Sequence, residues 1–362
     1  MPSSILVLRK KRNPSVIVMG RSCNLLLPLE VFILLIHFHT ALSTVTNIST
    51  DEASLLSFKS HSISFGPNNI LATNWSSSSP VCSWIGVTCS SRHHRVVALD
   101  ISSMQLHGTI PPHLGNLSFL VSLNIKNNTF HGDLPEELAH LQRLKLIDVT
   151  NNNFTGAIPS FLGLLPNLRI MILSNNQFSG KIPSALSNLT KLEVLRVQRN
   201  FLDGEIPREL GDLRYTAFID MQGNQLTGSV PTSIFNITTM QIIALTTNNL
   251  TGKLPITICD HLPNLKVLDI SNNYLDGIIP PTLEKCRKLQ TSSLFRNELT
   301  GTVPRELANL TALTELYLAA QHLEVASEVP WDKLPIHFTI PTMLPFMYLL
   351  FIFGASTSFQ PS

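Results

Sequence analysis

Residues 144–159 read "LKLIDVTNNNFTGAIP", and this stretch decides the fold because its parts recur along the chain. Its last four residues are a glycine, a variable residue, an aliphatic residue and a proline, and this tetrad occurs nine times. Successive glycines are 24 residues apart, except for one interval of 25. A fixed period of this length indicates a solenoid, in which each unit buries its apolar face against the next. The glycines are Gly108, Gly132, Gly156, Gly180, Gly204, Gly228, Gly252, Gly277 and Gly301.

The residues before each glycine follow the pattern L-x-x-L-x-L-x-x-N-x-[LF]-x-G, which is the leucine-rich repeat. In the quoted stretch Leu144, Ile147 and Val149 occupy apolar positions, and their alternation predicts a short strand with these side chains inside. We therefore predict an α/β solenoid: a right-handed leucine-rich-repeat superhelix with a parallel β-sheet on its concave face. About ten 24-residue repeats are expected over residues 96–323, although Gln321 replaces the asparagine in the tenth.

The asparagine of the pattern is predicted to point inward, where its amide bonds to backbone groups that water cannot reach. Two residues later, Phe130, Phe154 and Phe178 stand at equivalent positions in three successive repeats. We interpret these rings as a stacked hydrophobic spine rather than a cofactor site. The segments after each proline are expected to form short 3₁₀ or α turns on the convex side. The ladder asparagines are Asn128, Asn152, Asn176, Asn200, Asn224, Asn248, Asn273 and Asn297.

The N-terminal 43 residues have the composition of a secretory signal peptide. An apolar run over residues 25–38 follows a basic stretch, and Ala41 and Ser43 are small residues suited to a cleavage site. A nuclear signal at residues 9–12 and an uncleaved anchor are the alternatives. Without residues 1–43 the chain has 21 basic and 23 acidic residues, and this near-neutral balance argues against nucleic acid as a partner.

Four cysteines remain after residue 43, and an even number in a secreted chain suggests disulfides. Neither pair has the close spacing of a zinc site. Cys259 and Cys286 lie between the proline and the next strand of adjacent repeats, so coils stacked on each other can bring them together. The sequence leaves two possibilities for this pair, a bridge or two free thiols.

The region before the repeats resembles the N-terminal cap of plant extracellular leucine-rich-repeat proteins. The similar elements are "DEASLLSFKS" at 51–60, Trp75 and "CSWIGVTC" at 82–89, within a cap that we assign to residues 44–95. The resemblance implies an amphipathic helix and a Cys82–Cys89 disulfide that cover the open end of the solenoid. Such a cover is needed because the first repeat otherwise exposes its core.

The repeats themselves are similar to the ectodomains of plant leucine-rich-repeat receptor kinases of the immune-receptor type. Stretches such as "LPNLKVLDISNNYLDGIIP" at 262–280 carry this similarity, which covers about residues 50–323. It implies a peptide or protein ligand and a co-receptor kinase as partners, outside the cell. The chain has none of the kinase sequence motifs, which suggests a receptor truncated before its transmembrane and kinase parts.

A second interpretation is a secreted inhibitor of a foreign cell-wall-degrading enzyme, like plant polygalacturonase inhibitors. That interpretation predicts a C-terminal cap stapled by cysteines, and no cysteine follows Cys286. In either case we expect a binding protein without enzyme activity or cofactor. It is expected to be secreted or at the extracellular face of the plasma membrane, with membrane association only as part of a longer receptor.

Residues 324–362 abandon the repeat pattern and form a divergent tail. The apolar run over residues 340–354 is interrupted by Pro341 and Pro345, and a spanning helix needs about 20 apolar residues. We interpret the tail as a feature of a truncated product, with membrane insertion as the alternative.

The variable positions of the concave strands are predicted to bind the ligand, because they change without disturbing the core. The sequence predicts neither a catalytic site nor a metal site: His93 and His94, for example, have no cysteine or carboxylate at ligand spacing. The candidate ligand-binding residues are Arg196, Gln198, Arg199, Phe218, Asp220, Gln222, Phe295, Arg296 and Tyr317. Nine glycosylation sequons are present, at Asn47, Asn74, Asn116, Asn127, Asn153, Asn188, Asn236, Asn249 and Asn309.

Overall fold

The structure is a computed structural model, and it describes residues 47–64, 70–318 and 322–324. These residues comprise the cap and the repeats. The predicted signal peptide, residues 65–69 and 319–321, and the predicted tail beyond residue 324 lie outside the described residues.

The concave face is one sheet of eleven strands, formed as the alternating apolar pattern predicts. The strands are β2 (Val87–Cys89), β3 (Val96–Asp100), β5 (Ser122–Asn124), β7 (Leu146–Asp148), β9 (Ile170–Ile172), β11 (Val194–Arg196), β13 (Phe218–Asp220), β15 (Ile242–Ala244), β17 (Val267–Asp269), β19 (Thr291–Ser293) and β21 (Glu315–Tyr317). Strand β2 pairs antiparallel with β3, and every later pair is parallel, because each strand is reached through a complete coil of the solenoid.

A second set of strands, most of which follow a ladder asparagine, forms two further sheets, of four and seven strands; β1 comes from the cap and pairs antiparallel with β4. A single bridge between Ala157 and Ser179 lies between them. The four-stranded sheet contains β1 (Ser62–Ser64), β4 (Leu106–Gly108), β6 (Thr129–Gly132) and β8 (Asn153–Phe154). The seven-stranded sheet contains β10 (Ser179–Lys181), β12 (Phe201–Glu205), β14 (Gln225–Gly228), β16 (Asn249–Lys253), β18 (Tyr274–Gly277), β20 (Glu298–Thr302) and β22 (His322–Glu324).

The convex side consists of short 3₁₀ helices, as the segments after the prolines predict. Each begins directly after a proline, whose fixed φ suits a helix start. Residues 256–261 are the exception and form turns, in the one repeat that has 25 residues. The helices are η2 (Pro112–Asn116), η3 (Glu136–His140), η4 (Ser160–Leu164), η5 (Ser184–Asn188), η6 (Arg208–Asp212), η7 (Thr232–Asn236), η8 (Pro281–Lys285) and η9 (Arg305–Asn309).

The asparagine ladder and the phenylalanine spine are both confirmed. Asn152 shows the repeating arrangement: its Nδ2 donates to the carbonyl oxygens of Ile125 and Val149, at 3.1 and 3.0 Å. Its Oδ1 accepts the backbone N–H of Phe130 at 3.0 Å, so one side chain joins three places in two coils. The rings of Phe130, Phe154 and Phe178 stack with centroids 6.5 and 6.1 Å apart and are fully buried.

The N-terminal cap covers the first coil as the plant resemblance implies. Helix α1 (Ile48–His61) begins at Asn47, whose side chain accepts the N–H groups of Ser49 and Thr50. Helix α2 (Ile70–Asn74) and the 3₁₀ helix η1 (Val81–Ser83) follow, and the rings of Trp75 and Trp84 stack at 5.4 Å. Cys82 and Cys89 form a disulfide with 5.5 Å between their Cα atoms.

Candidate ligand-binding surface

A column of six apolar side chains runs along the middle of the concave face. In each concave strand the central residue points into the core, so the residues on either side of it face outward. The first outward residue is apolar in six consecutive strands, and the strand register places these residues side by side. All six are half-buried. We call them the apolar column: Leu146, Ile170, Val194, Phe218, Ile242 and Val267.

The second outward residues of these six strands, together with those of β19 and β21, form a neighbouring column that carries charge. It contains two of the predicted ligand-binding residues of the middle repeats, Arg196 and Asp220, and it ends at the predicted Tyr317. We call it the charged column: Asp148, Ile172, Arg196, Asp220, Ala244, Asp269, Ser293 and Tyr317. The two columns together make a surface that is apolar along one side and polar along the other.

Asp220 stands at a variable position of its concave strand, which predicts a side chain in solvent, and this prediction is wrong. The residue is only 3% exposed, because its carboxylate turns along the strand and accepts both the backbone N–H and the side chain of Gln222. Burial raises the pKa of Asp220 to about 6. The bonds from Gln222 and the charge of Arg196 oppose this rise in pKa, and the charge of Asp269 adds to it.

Asp269 is a second buried carboxylate in the charged column, two strands from Asp220. It is 4% exposed and accepts the hydroxyl of Ser271 at 2.6 Å. Burial raises its pKa as well, against the hydrogen bonds from Ser271 and Ser293. Ala244 lies between the two aspartates in the register and is fully buried. The charged column therefore contains two buried carboxylates here; Asp220 is one of the predicted site residues and Asp269 is not.

The other predicted residues divide into two groups along the solenoid. In the middle repeats the Arg196 guanidinium lies over the Phe218 ring at 5.6 Å, and Gln198 accepts the hydroxyl of Ser174. Nearer the C-terminal end, Arg296 lies over Phe295 at 5.7 Å. The strands of the two groups, β13 and β19, are three steps apart, or about 14 Å at the usual strand spacing. The structure therefore does not bring the predicted residues into one site.

Arg199 and Arg296 share an unusual backbone conformation. Their φ angles are 54° and 53°, in the left-handed region that favours glycine and asparagine. The same position in other repeats is occupied by Asn127, Asn151, Asn175 and Asn272. Both arginine side chains are exposed at the edge of the concave sheet. The positive φ therefore belongs to the repeating turn after each concave strand, and the two arginines occupy it in place of asparagine.

The opposite edge of the concave sheet, before the strands begin, is basic. Lys191 donates to the side chain of Asn167 at 2.6 Å, Arg169 pairs with Glu193, and the Arg143 guanidinium lies 3.8 Å from the centroid of the Phe119 ring. All the basic side chains of this edge are exposed. They are Arg143, Lys145, Arg169, Lys191, Lys266 and Lys288.

The sequon asparagines leave the middle of the concave face clear. Four of them, Asn116, Asn188, Asn236 and Asn309, are each the last residue of a convex 3₁₀ helix. Two others, Asn153 and Asn249, begin strands β8 and β16 of the second set. Asn127 lies in the turn after β5, and Asn47 and Asn74 belong to the cap. All are exposed except the half-buried Asn74, and none lies within the described concave strands.

Other chemistry is limited in the part of the chain that the structure describes. Cys259 and Cys286 are joined by a disulfide with 5.3 Å between their Cα atoms; Cys259 lies in the convex turns that replace a 3₁₀ helix, and Cys286 directly follows η8. No group of three or more histidine, cysteine or carboxylate side chains among the described residues is placed to hold a metal ion. Within the same residues, no helix has the length and apolar character to cross a membrane.

Comparison with known families agrees with this architecture. Residues 48–90 match the leucine rich repeat N-terminal domain, and residues 119–141, 143–165, 167–189 and 263–323 match leucine rich repeats. The fold and these matches define a leucine-rich-repeat solenoid with a plant-type N-terminal cap. The chain belongs to the leucine-rich-repeat proteins and is homologous to the ectodomains of plant receptor kinases.

Individual relatives are matched over parts of their length. The LRR receptor-like serine/threonine-protein kinase EFR of Arabidopsis thaliana is 48% identical over 71 residues, which are 20% of this chain and 7% of that protein. The Arabidopsis receptor kinase HAESA, solved with the peptide hormone IDA and the co-receptor SERK1, is 28% identical with a TM-score of 0.64; the match covers 76% of this chain and 50% of HAESA. A plant ice-binding protein is 26% identical with a TM-score of 0.58, over 78% of this chain and 99% of that protein.

Proposed function

We propose that this chain is an extracellular recognition module that binds a peptide or protein ligand across the middle of its concave face. The observation that supports this most is the apolar column. Its six apolar side chains stand in line and each is half-buried, and a contiguous apolar patch on a protein surface is a feature of interaction sites. The predicted sugars lie on the convex side, the second set of strands and the cap, apart from the one at Asn127 in the turn after β5, so they leave the middle of the concave face accessible.

The homologous structure of HAESA contains both a peptide hormone and a co-receptor. A peptide ligand, and possible cooperation with a co-receptor kinase, are therefore the partners that we propose for this chain. Its role is binding rather than catalysis, and its place is outside the cell, in line with its similarity to receptor ectodomains. The chain spans half or less of the length of these two receptors, and signalling by those whole proteins is not assigned to it.

The match to an ice-binding protein shows that this fold serves more than one function. A surface for a crystal lattice requires regular, uncharged side chains. The outward residues of the second set of strands differ from repeat to repeat here. They include the aromatic Phe201 and Tyr274 and the charged Asp203 and Asp276. The inhibitor hypothesis is not favoured either, since EFR and HAESA are receptors.

The proposal is tested by selecting binders to the secreted full chain from a random octapeptide display library. Enriched peptides are expected to lose at least tenfold in affinity for the Phe218→Ser variant, because this residue is in the middle of the apolar column. The matched control is Phe201→Ser, which removes an aromatic ring that is 53% exposed on β12, away from the concave face. Equal affinity loss in both variants, or in neither, contradicts the proposal.

A further inference from the structure

The basic side chains before the concave strands lie along one continuous edge of the solenoid. Backbone hydrogen bonds fix the order of this edge: the Arg169 N–H donates to the Lys145 carbonyl oxygen at 2.9 Å, and the same bond joins each later pair of coils. From β7 to β19 the edge crosses six strand intervals, or about 29 Å at the usual spacing. We call its basic residues the basic edge: Arg143, Lys145, Arg169, Lys191, Lys266 and Lys288.

The positive charge of the basic edge is not balanced by carboxylates. Its residues occupy the positions just before and just after the first leucine of the repeat pattern, and in the coils from β7 to β19 these positions hold six basic residues and one acidic residue, Glu193. Glu193 pairs with Arg169, and no other ion pair involves the basic edge in the part of the chain that the structure describes. Lys191 instead donates to the neutral side chain of Asn167 at 2.6 Å. Because the chain after residue 43 is nearly neutral, positive charge is concentrated at this edge.

The basic edge is accessible to a large ligand. All six of its side chains are exposed. The predicted sugar sites Asn116 and Asn188 end the convex helices η2 and η5, and the two helices between them, η3 and η4, contain no sequon. The predicted sugars of the convex helices therefore leave the coils of Arg143 and Arg169 uncovered.

An exposed aromatic ring continues the same edge. Tyr215 occupies the position equivalent to Lys191 in the next coil, and it is 62% exposed. Its ring has an apolar face and a polar end. A sugar ring has the matching form, with an apolar C–H face bordered by hydroxyl groups. A folded protein is a poorer match for this edge, since lysine is depleted in protein–protein interfaces.

We propose that the basic edge binds a linear acidic polysaccharide, whose carboxylate or sulfate groups lie against the lysine and arginine side chains and one of whose sugar rings lies on Tyr215. Clusters of basic residues are typical of heparin-like and nucleic-acid ligands. An exposed ion pair contributes little alone, but a polymer with repeated negative groups contacts several coils at once. The extracellular setting of the homologous receptor ectodomains favours a polysaccharide over nucleic acid. This inference goes beyond the proposed function and does not depend on it.

The test measures binding of the secreted full chain to polygalacturonate and to dextran sulfate, with neutral dextran as the blank. We expect binding to at least one acidic polysaccharide, none to dextran, and lower affinity at higher salt, because salt screens exposed charges. The double variant Lys145→Gln with Lys191→Gln is expected to bind at least fivefold more weakly. The matched control, Lys181→Gln with Lys253→Gln, removes two exposed lysines from the second set of strands and is expected to bind as the wild type does.

A third variant distinguishes a polysaccharide from any other polyanion. Tyr215→Ser is expected to weaken binding of the acidic polysaccharide and not of single-stranded DNA. Circular dichroism confirms that each variant is folded. Equal affinity of the wild type for DNA and for the polysaccharide, or no effect of Tyr215→Ser, indicates a surface for any polyanion and overturns the polysaccharide ligand.

The remaining outcomes also decide the inference. Binding to neither acidic polysaccharide, equal binding to dextran, or an equal loss of affinity in the two lysine variants overturns it. The Phe218→Ser variant is expected to bind the polysaccharide with unchanged affinity, because Phe218 lies on the concave face and not on the basic edge. Failure of the polysaccharide to bind therefore leaves the proposed peptide binding intact, and the two proposals are tested separately.

Discussion

At the scale of single residues, Asp220 shows how a solvent-facing position becomes a buried titrating group. The strand pattern places its Cα on the concave surface, but its carboxylate is held along the strand by Gln222. The alternation of side chains along the strand, which is visible in the sequence, predicts the face on which the Asp220 side chain lies. It does not give the turn of the carboxylate, because this depends on the bonds that Gln222 donates after the strand has ended.

This burial predicts a pH dependence of stability. The pKa of Asp220 is about 6 in the folded protein and near its ordinary value of 3.8 in the unfolded chain. The folded state therefore holds the proton more tightly and gains stability as the pH falls through 6 toward 3.8. We expect the Asp220→Asn variant to be more stable than the wild type at pH 7.5, by on the order of 2 kcal/mol, and this gain to shrink by pH 4.5.

Denaturant unfolding at several pH values measures this effect. The control is Asp203→Asn, which changes an exposed carboxylate on β12 and is expected to leave the pH dependence as in the wild type. Burial raises the pKa of Asp269 as well, so the stability of every variant depends on pH. The pH dependence of each variant is therefore compared with that of the wild type. The same gain at pH 4.5 and pH 7.5 for Asp220→Asn is inconsistent with a raised pKa.

At the scale of elements, the cap is attached to the repeats by one buried ion pair. Asp51 of α1 accepts two bonds from the Arg95 guanidinium, at 2.6 and 2.8 Å, and one from the backbone N–H of Val96 at 2.9 Å. The side chains are 6% exposed for Arg95 and 0% for Asp51. Helix α1 and strand β3 are therefore joined at a point that water does not reach.

Removing one partner of this pair is expected to destabilise the protein strongly. Asp51→Ala leaves the buried guanidinium without its carboxylate, which costs about 3–5 kcal/mol in comparable buried pairs. The double variant Asp51→Leu with Arg95→Met is expected to recover most of this loss, because no uncompensated charge remains. Denaturant unfolding gives both values.

The matched control for the cap is the exposed pair of Arg169 and Glu193. Glu193→Ala is expected to cost less than about 1 kcal/mol, since solvent screens exposed pairs. If Asp51→Ala is as mild as Glu193→Ala, the cap is held by its apolar contacts, such as the Phe58 and Phe130 rings at 5.5 Å, and not by the ion pair.

At the scale of the whole molecule, the periodic features were predictable and the contacts between repeats were less so. The 24-residue period predicted the strands, the asparagine ladder and the convex turns, because the same residue pattern forms the same elements in each repeat. The apolar column was visible in principle, by reading the first strand residue of each repeat across the period. A single strand does not reveal the column, because each strand contributes only one residue to it, such as Val194 or Phe218. The pairing of Cys259 with Cys286 depended on how two irregular coils stack.

The central claim is that the middle of the concave face binds the ligand, and an engineered sugar tests it most directly. Ile172→Asn creates the sequon Asn-Leu-Ser on β9, in the charged column beside Ile170. The control pair Asp212→Asn with Arg214→Thr creates Asn-Leu-Thr at the end of η6, the position that native sequons occupy in η5 and η7. Mass spectrometry establishes that each new site carries its sugar.

Peptide affinity is then compared among the wild type and the two glycosylated variants, with peptides enriched on the wild type. The sugar at position 172 is expected to reduce affinity at least tenfold, because it occupies the path of the ligand across the strands. The sugar at position 212 is expected to leave affinity unchanged. Full affinity in the variant with the concave sugar contradicts binding at this face.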